Sequence, residues 1–249
     1  MAGGGRLSEP AYEPHEVDWT EEKVGRVWEY YASNPSYRGQ YFSAHSGGAI
    51  VKRVEREVGL RGRRVLDFGC GRGDLLAHLF SGGVAATGLE FERASAAETK
   101  ARFEGEPLFQ GIEVAEKLPS GLQDAAFDRV LLVEVVEHLL DDQIEATLTE
   151  VGRLLAPGGR VVVTTVNEED LEASKVPCPD CGAIFHRWQH QRSFTSGSLA
   201  SMFEGGGFRT ERSEATFWGA SFAVLARTKL RRPRAPLPRP HLLYIGSRT

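Results

Sequence analysis

The stretch Arg63-Arg64-Val65-Leu66-Asp67-Phe68-Gly69-Cys70-Gly71-Arg72-Gly73-Asp74-Leu75-Leu76 decides the fold. A β-branched and aliphatic run ends in an acid, glycines follow at every second position, and an apolar helical pattern then begins. That order reads as strand, tight turn and helix, the opening half of a βαβ unit. The glycines open positive φ to the turn and leave no Cβ in the way of a ligand. A polar ligand can then lie on the backbone N–H groups at the helix start. The spacing is not the G-x-G-x-x-G of a dinucleotide turn. An acid ahead of the first glycine repels a pyrophosphate and suits an ammonium or sulfonium charge.

Outward from this turn, Val84 to Leu89 is a second strand pattern. It is closed by Glu90, an acid placed to accept both hydroxyls of a ribose. Asp67-x-Gly69-x-Gly71-x-Gly73, together with Glu90, resembles the first motifs of the class I S-adenosylmethionine (SAM) dependent methyltransferases. The resemblance covers about residues 45–228. It implies SAM as cofactor, with Asp67, Gly69, Gly71 and Gly73 at its methionine end and Glu90 on the ribose. Cys70 within the turn and Phe91 after Glu90 belong to the same implied site. Val114-Ala115-Glu116-Lys117-Leu118-Pro119 resembles the segment that flanks the adenine. The family's usual acid is replaced there by Val114, which leaves polar contact to the Ala115 backbone or to Glu116. Val133 and Glu134 would line the sulfonium.

The rest of the chain alternates. Strands are expected at 63–68, 84–90, 108–112, 127–133 and 161–165, and helices at 73–80, 93–103, 144–155 and 195–203. Two closing strands follow over 208–227, the last from Trp218 to Ala226. This predicts an α/β, Rossmann-like, doubly wound, mostly parallel seven-stranded sheet with ligands at the carboxyl ends of its strands. Ahead of it lie a helix from Asp18 to Tyr31 with Thr20 as N-cap and a turn-rich aromatic segment bearing Tyr37, Tyr41, Phe42 and His45. A second helix runs from about Gly48 to Val58. In the resembled family such helices cover the SAM pocket and shape the acceptor site. The same aromatics can equally pack against the sheet. The expected domains are a disordered 1–15, a helical cap at 16–60, the SAM-binding domain at 61–228 with a Cys/His insertion at 167–195, and a basic tail at 229–249. The tail's prolines remove backbone donors, so it reads as a disordered extension rather than a core element.

Composition narrows the classes. A chain of 249 residues with 41% hydrophobic content is one α/β domain with trimmings. No apolar run approaches the ~20 residues of a membrane span, the N-terminus has no signal-peptide core, and three cysteines are too few for a disulfide framework. A cytoplasmic protein with no membrane partner is expected. The net charge of −4 conceals six basic residues and no acid from Lys229 to Thr249, which leaves the body at −10. An acidic body is a poor platform for nucleic acid. No feature of the sequence sets the oligomeric state.

Two constellations go beyond SAM. Glu134-Val135-Val136-Glu137-His138-Leu139 follows the fourth strand. If Glu134 begins a helical turn, Glu137 and His138 share its face and the three can hold a divalent ion such as Mg2+ or act as a base. Glu-x-x-Glu-His resembles two metal-dependent groups, the small-RNA 2′-O-methyltransferases and the ubiquinone-pathway O-methyltransferases. In many members of the fold the same segment only packs and caps. The second constellation, Cys178-Pro179-Asp180-Cys181 with His186 and His190, has the spacing C-x2-C-x4-H-x3-H. That is a compact four-ligand set for zinc, against the plainer reading of two surface thiols beside unrelated histidines. In the RNA enzymes a histidine at the place of His190 completes the Glu-Glu-His set, so His190 belongs either to the knuckle or to Glu134, Glu137 and His138. The reading that follows is a SAM-dependent methyltransferase acting on the hydroxyl of a small molecule. RNA 2′-O-methylation, metal-free N- or C-methylation, and a SAM-binding scaffold with a zinc-knuckle interaction module are its rivals.

Overall fold

A computed structural model describes residues 12–37, 39–218 and 240–249. The first half of the chain forms β1 (His15–Glu16), α1 (Glu21–Ser33), α2 (Phe42–Val58), β2 (Val65–Phe68), α3 (Asp74–Ser81), β3 (Ala86–Glu90), α4 (Arg93–Arg102) and β4 (Phe109–Val114). The second half forms β5 (Phe127–Val133), α5 (Asp141–Leu154), β6 (Leu155–Val166), β7 (Lys175–Pro177), β8 (Ala183–His186), α6 (Ser196–Gly205), β9 (Phe208–Thr216) and β10 (His241–Arg248).

The main sheet has seven strands in the order β4-β3-β2-β5-β6-β10-β9. Strand β10 runs antiparallel to both of its neighbours, and the other pairings are parallel. Successive residues of a strand face opposite sides, and two cores follow from that alternation. Leu131, Val162, Leu243 and Ile245 pack with Ile50, Val51 and Val54 of α2 and with Leu75, Leu76 and Leu79 of α3. Val130, Leu132, Val161, Val163, Leu242 and Tyr244 pack on the other face with Leu148 and Val151 of α5 and with Leu199 and Phe203 of α6. Helices cover both faces, as the βα alternation requires. A separate small sheet, β1-β8-β7, carries the Cys/His insertion.

The seven-stranded, mostly parallel sheet is borne out, but its last strand is not where the sequence suggests. Residues His241–Arg248, read above as part of a disordered tail, form β10 between β6 and β9. The domain therefore reaches beyond residue 228. Within the described residues Trp218 belongs to no strand, and the rest of the expected Trp218–Ala226 strand lies outside them, as do residues 1–11 and 219–239. Arginine and proline enrichment sets the average character of the tail, but Leu242-Leu243-Tyr244-Ile245 is a short strand buried on both faces. Each of these four side chains contributes about 1.5–3 kcal/mol on burial, together comparable to a whole domain's stability of about 5–15 kcal/mol. A chain ended after residue 239 is therefore expected to lose its cooperative unfolding transition, measured by circular dichroism.

Two N-terminal differences bear on the site. His15–Glu16 pairs with Ala183–Ile184 of β8 rather than trailing free. Helix α2 begins at Phe42, ahead of the expected Gly48. Gly47 lies inside this helix because a Cβ there would run into the His78 ring of α3. The glycine serves a close helix–helix approach and does not start the helix.

Candidate active site

The glycine turn between β2 and α3 closes on itself. Gly69 and Cys70 both donate their N–H groups to the Leu89 carbonyl (2.8 and 3.0 Å), and Gly73 donates to the Cys70 carbonyl (2.9 Å). Gly71 donates to Glu90 Oε2 at 2.6 Å. These donors are taken, so the glycines offer room rather than a cradle of free N–H groups. At Gly71 (φ +52°) a Cβ would meet nothing within 4 Å. Cys70 faces the interior, and its Sγ would lie 2.7 Å from a Cβ on Gly88. Its role is packing against β3.

Asp67 near the end of β2 and Glu90 at the end of β3 lie on neighbouring strands beside this turn. Asp67 is buried, and its Oδ2 has no hydrogen-bond partner. Burial, then the charges of Glu90 and Asp74, push its carboxyl up to about 8. Burial also raises Glu90, against the N–H groups of Glu92, Gly71 and Phe91 that hold its charged form. An ammonium group beside Asp67 would supply the partner that Oδ2 lacks, so these residues fit the methionine end of SAM, with Glu90 toward the ribose. Phe91 stands partly exposed, 5.8 Å from the Phe68 ring. Both expected polar adenine groups have partners within the chain. The Ala115 N–H donates to the Glu90 carbonyl (3.0 Å), and exposed Glu116 pairs with Arg93. Buried Arg72 donates to the Ala32 carbonyl of α1 (2.9 Å) and pairs with Glu98 of α4, which latches the cap helix onto the turn.

A proton held by folded Asp67 stabilises the fold at low pH. That stabilisation is complete below the ordinary value of 3.8 and is lost as pH rises toward about 8. Asp67→Asn is expected to flatten this decline and to weaken SAM binding at least tenfold, as read by urea unfolding across pH and by calorimetry.

The carboxyl end of β5 does not present Glu134, Glu137 and His138 on one helical face. The chain makes only a single turn there, His138 N–H to the Val135 carbonyl (3.1 Å), and Glu134 precedes it with φ +53°. Glu134 Oε1 accepts from Thr164 Oγ1 (2.8 Å) and Glu137 Oε2 from Thr165 Oγ1 (2.9 Å). Adjacent residues of β6 point to opposite faces of the sheet, so the two carboxylates are anchored on opposite sides. Glu134 thereby turns toward His241, with Oε2 3.6 Å from His241 Nδ1.

Glu137 and His138 instead meet His190. Their ligand atoms lie within 4.8 Å of one another, and Glu169, His186 and His190 form an adjoining group on the same criterion. Glu137 is almost fully buried, and its Oε1 has no partner. Burial first, then the Glu134 charge, hold its carboxyl well above the usual range. Burial, then His190, push His138 down to about 3, so this imidazole is neutral. His138 Nδ1 is likewise without a partner. His190 Nδ1 lies 2.5 Å from Glu169 Oε2, an arrangement that turns Nδ1 toward the carboxylate and leaves Nε2 on the other side of the ring. Burial opposes ionisation of Glu169, but His190 and His186 outweigh it and hold the carboxyl below its usual range. His186 Nδ1 accepts the N–H groups of Trp188 (3.3 Å) and His190 (3.2 Å). Trp28 of α1 closes the group, its ring 4.8 Å from His138 and its Nε1 donating to Gln189 Oε1 (2.8 Å).

The expected four-ligand zinc set is not assembled. Cys178 and Cys181 lie at the β7–β8 turn, and neither joins a three-ligand group with the histidines. The two thiols do form a knuckle, in which the N–H groups of Cys181 and Asp180 and the Cys181 thiol pull the Cys178 thiol down. The reason for the separation is β8. An extended strand rises about 3.3 Å per residue, and β8 lies between Cys181 and His186. Glu169, Thr164, Thr165 and His241 are the site residues that sequence reading misses. Glu169 sits in an undistinguished acidic run, and His241 in an apparently basic tail.

Residues 37–213 match the family described as Methyltransferase domain. A probable S-adenosylmethionine-dependent methyltransferase of Mycolicibacterium smegmatis is 32% identical over 167 residues, 66% of this chain and 59% of that protein. A ubiquinone biosynthesis O-methyltransferase of Paracidovorax citrulli is 36% identical over 110 residues, 43% of this chain and 45% of that protein. The chain thus spans about half the length of these curated relatives. The Burkholderia thailandensis 1,6-didemethyltoxoflavin-N1-methyltransferase, solved with S-adenosylhomocysteine, shares the fold at TM-score 0.63 and 20% identity, over 98% of this chain and 97% of that one. With the acid-glycine turn, the strand-end Glu90 and the seven-stranded sheet, these findings show that the chain belongs to the methyltransferase-domain family of SAM-dependent enzymes.

Proposed function

We propose that the protein methylates a hydroxyl group of a small molecule, with a divalent ion held by Glu137, His138 and His190. The observation that carries this reading is that Glu137, His138 and His190 bring ligand atoms within 4.8 Å of one another after the end of β5, and that two of these residues each hold a buried polar atom without a partner, Glu137 Oε1 and His138 Nδ1. Buried polar atoms without partners are costly, and a cation would satisfy both. Two imidazoles with one carboxylate favour a zinc-like transition metal over magnesium. Glu169 on His190 Nδ1 is the outer carboxylate that fixes a ligating histidine's tautomer. When bound, the ion would supply Lewis acidity that lowers the pKa of an acceptor hydroxyl. The protein's own task is positioning: Asp67 and Glu90 fix the methyl donor, and the aromatic cap of Trp28, Tyr31, Tyr37 and Trp188 shelters the acceptor side. The O-methyltransferase names of the ubiquinone-pathway relatives support oxygen as the acceptor, and the acidic body supports a small molecule over RNA.

Elemental analysis tests the ion. A stoichiometric transition metal is expected in the wild type and in Cys178→Ser, and it should be lost in His190→Ala. Loss with Cys178→Ser and retention with His190→Ala would place the metal in the knuckle and sink this assignment. Methylation of amines but of no hydroxyl in a panel containing catechol, phenol and glucose would overturn the choice of oxygen.

A further inference from the structure

Strand β10 delivers an imidazole to the carboxyl edge of the sheet. His241 opens the strand and pairs in register with Val166 at the end of β6 and with Thr216 at the end of β9. Because β10 is antiparallel, its first residue lies where the parallel strands end, the edge at which ligands bind in such sheets. His241 shares a sheet face with Leu243 and Ile245, and so with α2. Phe42, the first residue of α2, stacks on the imidazole at 4.2 Å with the planes inclined by 29°. His241 Nδ1 is buried without a hydrogen bond, and the nearest carboxylate oxygen is Glu134 Oε2 at 3.6 Å. Glu134 is itself fixed by Thr164 Oγ1, and it takes up a left-handed backbone to get there. The pair is not sealed, since side-chain exposure is 17% for His241 and 14% for Glu134.

We infer that His241 is the proton acceptor for the substrate hydroxyl and that Glu134 is its positioning residue. The inference rests on the reading that the acceptor is a hydroxyl. Glu134 directly follows Val133, the last residue of β5, at the carboxyl edge of the sheet. An orphaned Nδ1 aimed at a fixed carboxylate selects the tautomer with Nδ1 protonated. The lone pair then stands on Nε2, on the side of the ring away from Glu134. The gap of 3.6 Å is longer than a hydrogen bond, a looseness that such pairs lose when substrate binds. In the step, the acceptor oxygen forms a bond to the methyl carbon as the carbon–sulfur bond of SAM breaks. The hydroxyl proton passes to His241 Nε2, and neutral S-adenosylhomocysteine leaves. Phe42 keeps the ring from rotating, so the N-terminal cap contributes to orientation as well as cover.

The test uses the full-length protein. Nitrogen-detected NMR of the wild type should show the Nδ1-protonated tautomer at His241, and Glu134→Gln should abolish that preference. The Nε2-protonated tautomer in the wild type would overturn the pairing whatever the acceptor. With a hydroxyl acceptor from the panel above, His241→Ala should lower kcat by about a hundredfold or more, with SAM affinity and KM little changed. Added imidazole should restore part of the rate, a recovery that a merely structural role would not give. Glu134→Gln should lower kcat less, since the base is still present. Wild-type kcat in a folded, SAM-binding His241→Ala protein overturns the proton-acceptor role and leaves hydroxyl methylation standing. A wild type that methylates only amines overturns the hydroxyl reading and the role of His241 with it.

Discussion

Gly71→Val is expected to weaken SAM binding by at least a hundredfold while the protein remains folded. Two features of the turn lead to this outcome. The backbone at Gly71 has φ +52°, and an added Cβ would meet no protein atom within 4 Å. The cost to the fold is then mainly the left-handed conformation, about 1–2 kcal/mol for an L-residue, which a domain of ordinary stability survives. The open space that would receive the side chain adjoins the turn whose N–H is held by Glu90, and on the reading that this turn binds SAM a valine there would occupy room the ligand needs. Gly71 also donates its N–H to Glu90 Oε2, so any shift of the turn disturbs the ribose acceptor too. Gly73 provides the contrast. A Cβ there would lie 2.5 Å from the Phe103 ring, so Gly73→Val should lower the melting temperature strongly. Calorimetry for SAM affinity and circular dichroism for folding separate the two variants. Retained SAM affinity in Gly71→Val would mean that the turn does not bind the cofactor.

Glu137→Gln should lower methyl transfer to a hydroxyl acceptor by about a thousandfold, with SAM affinity unchanged within a factor of two. The variant keeps the shape of the side chain and can keep the Thr165 hydrogen bond, which is 2.9 Å in the wild type. Burial already favours the uncharged form of Glu137, so a neutral amide costs the fold little. What it removes is the capacity to become a carboxylate beside His138 and His190 when a cation binds. Ion content and turnover should therefore fall together while the melting temperature moves only slightly. Unchanged turnover in a folded Glu137→Gln protein would refute the assignment of this group to the chemistry.

The reach of sequence reading followed the range of the interactions involved. The turn from Asp67 to Gly73, the strand-end Glu90 and the helices α3 and α4 are local events, written in consecutive residues, and the sequence places them to within a residue or two. The metal-ligand sets are different, because spacing along a chain constrains distance only when the intervening backbone is known. C-x2-C-x4-H-x3-H looks compact as text, but β8 is extended and carries His186 away from the cysteines. Glu-x-x-Glu-His looks like one helical face, but Glu134 takes a left-handed backbone and neighbouring threonines of β6 draw the two glutamates to opposite sides.

By itself the sequence determined the Rossmann-like class and the strand–turn–helix at Asp67 to Gly73 through local propensity and periodicity, and its resemblance to a known family supplied the SAM reading of that turn and of Glu90. Only the tertiary structure decided that His241–Arg248 is an interior strand, that His241 lies beside Glu134, and that His190 joins Glu137 and His138 with Glu169 behind it. Those pairings join residues far apart in the chain. They are fixed by which strands lie side by side and which face of the sheet each side chain takes, and neither is encoded in any single segment.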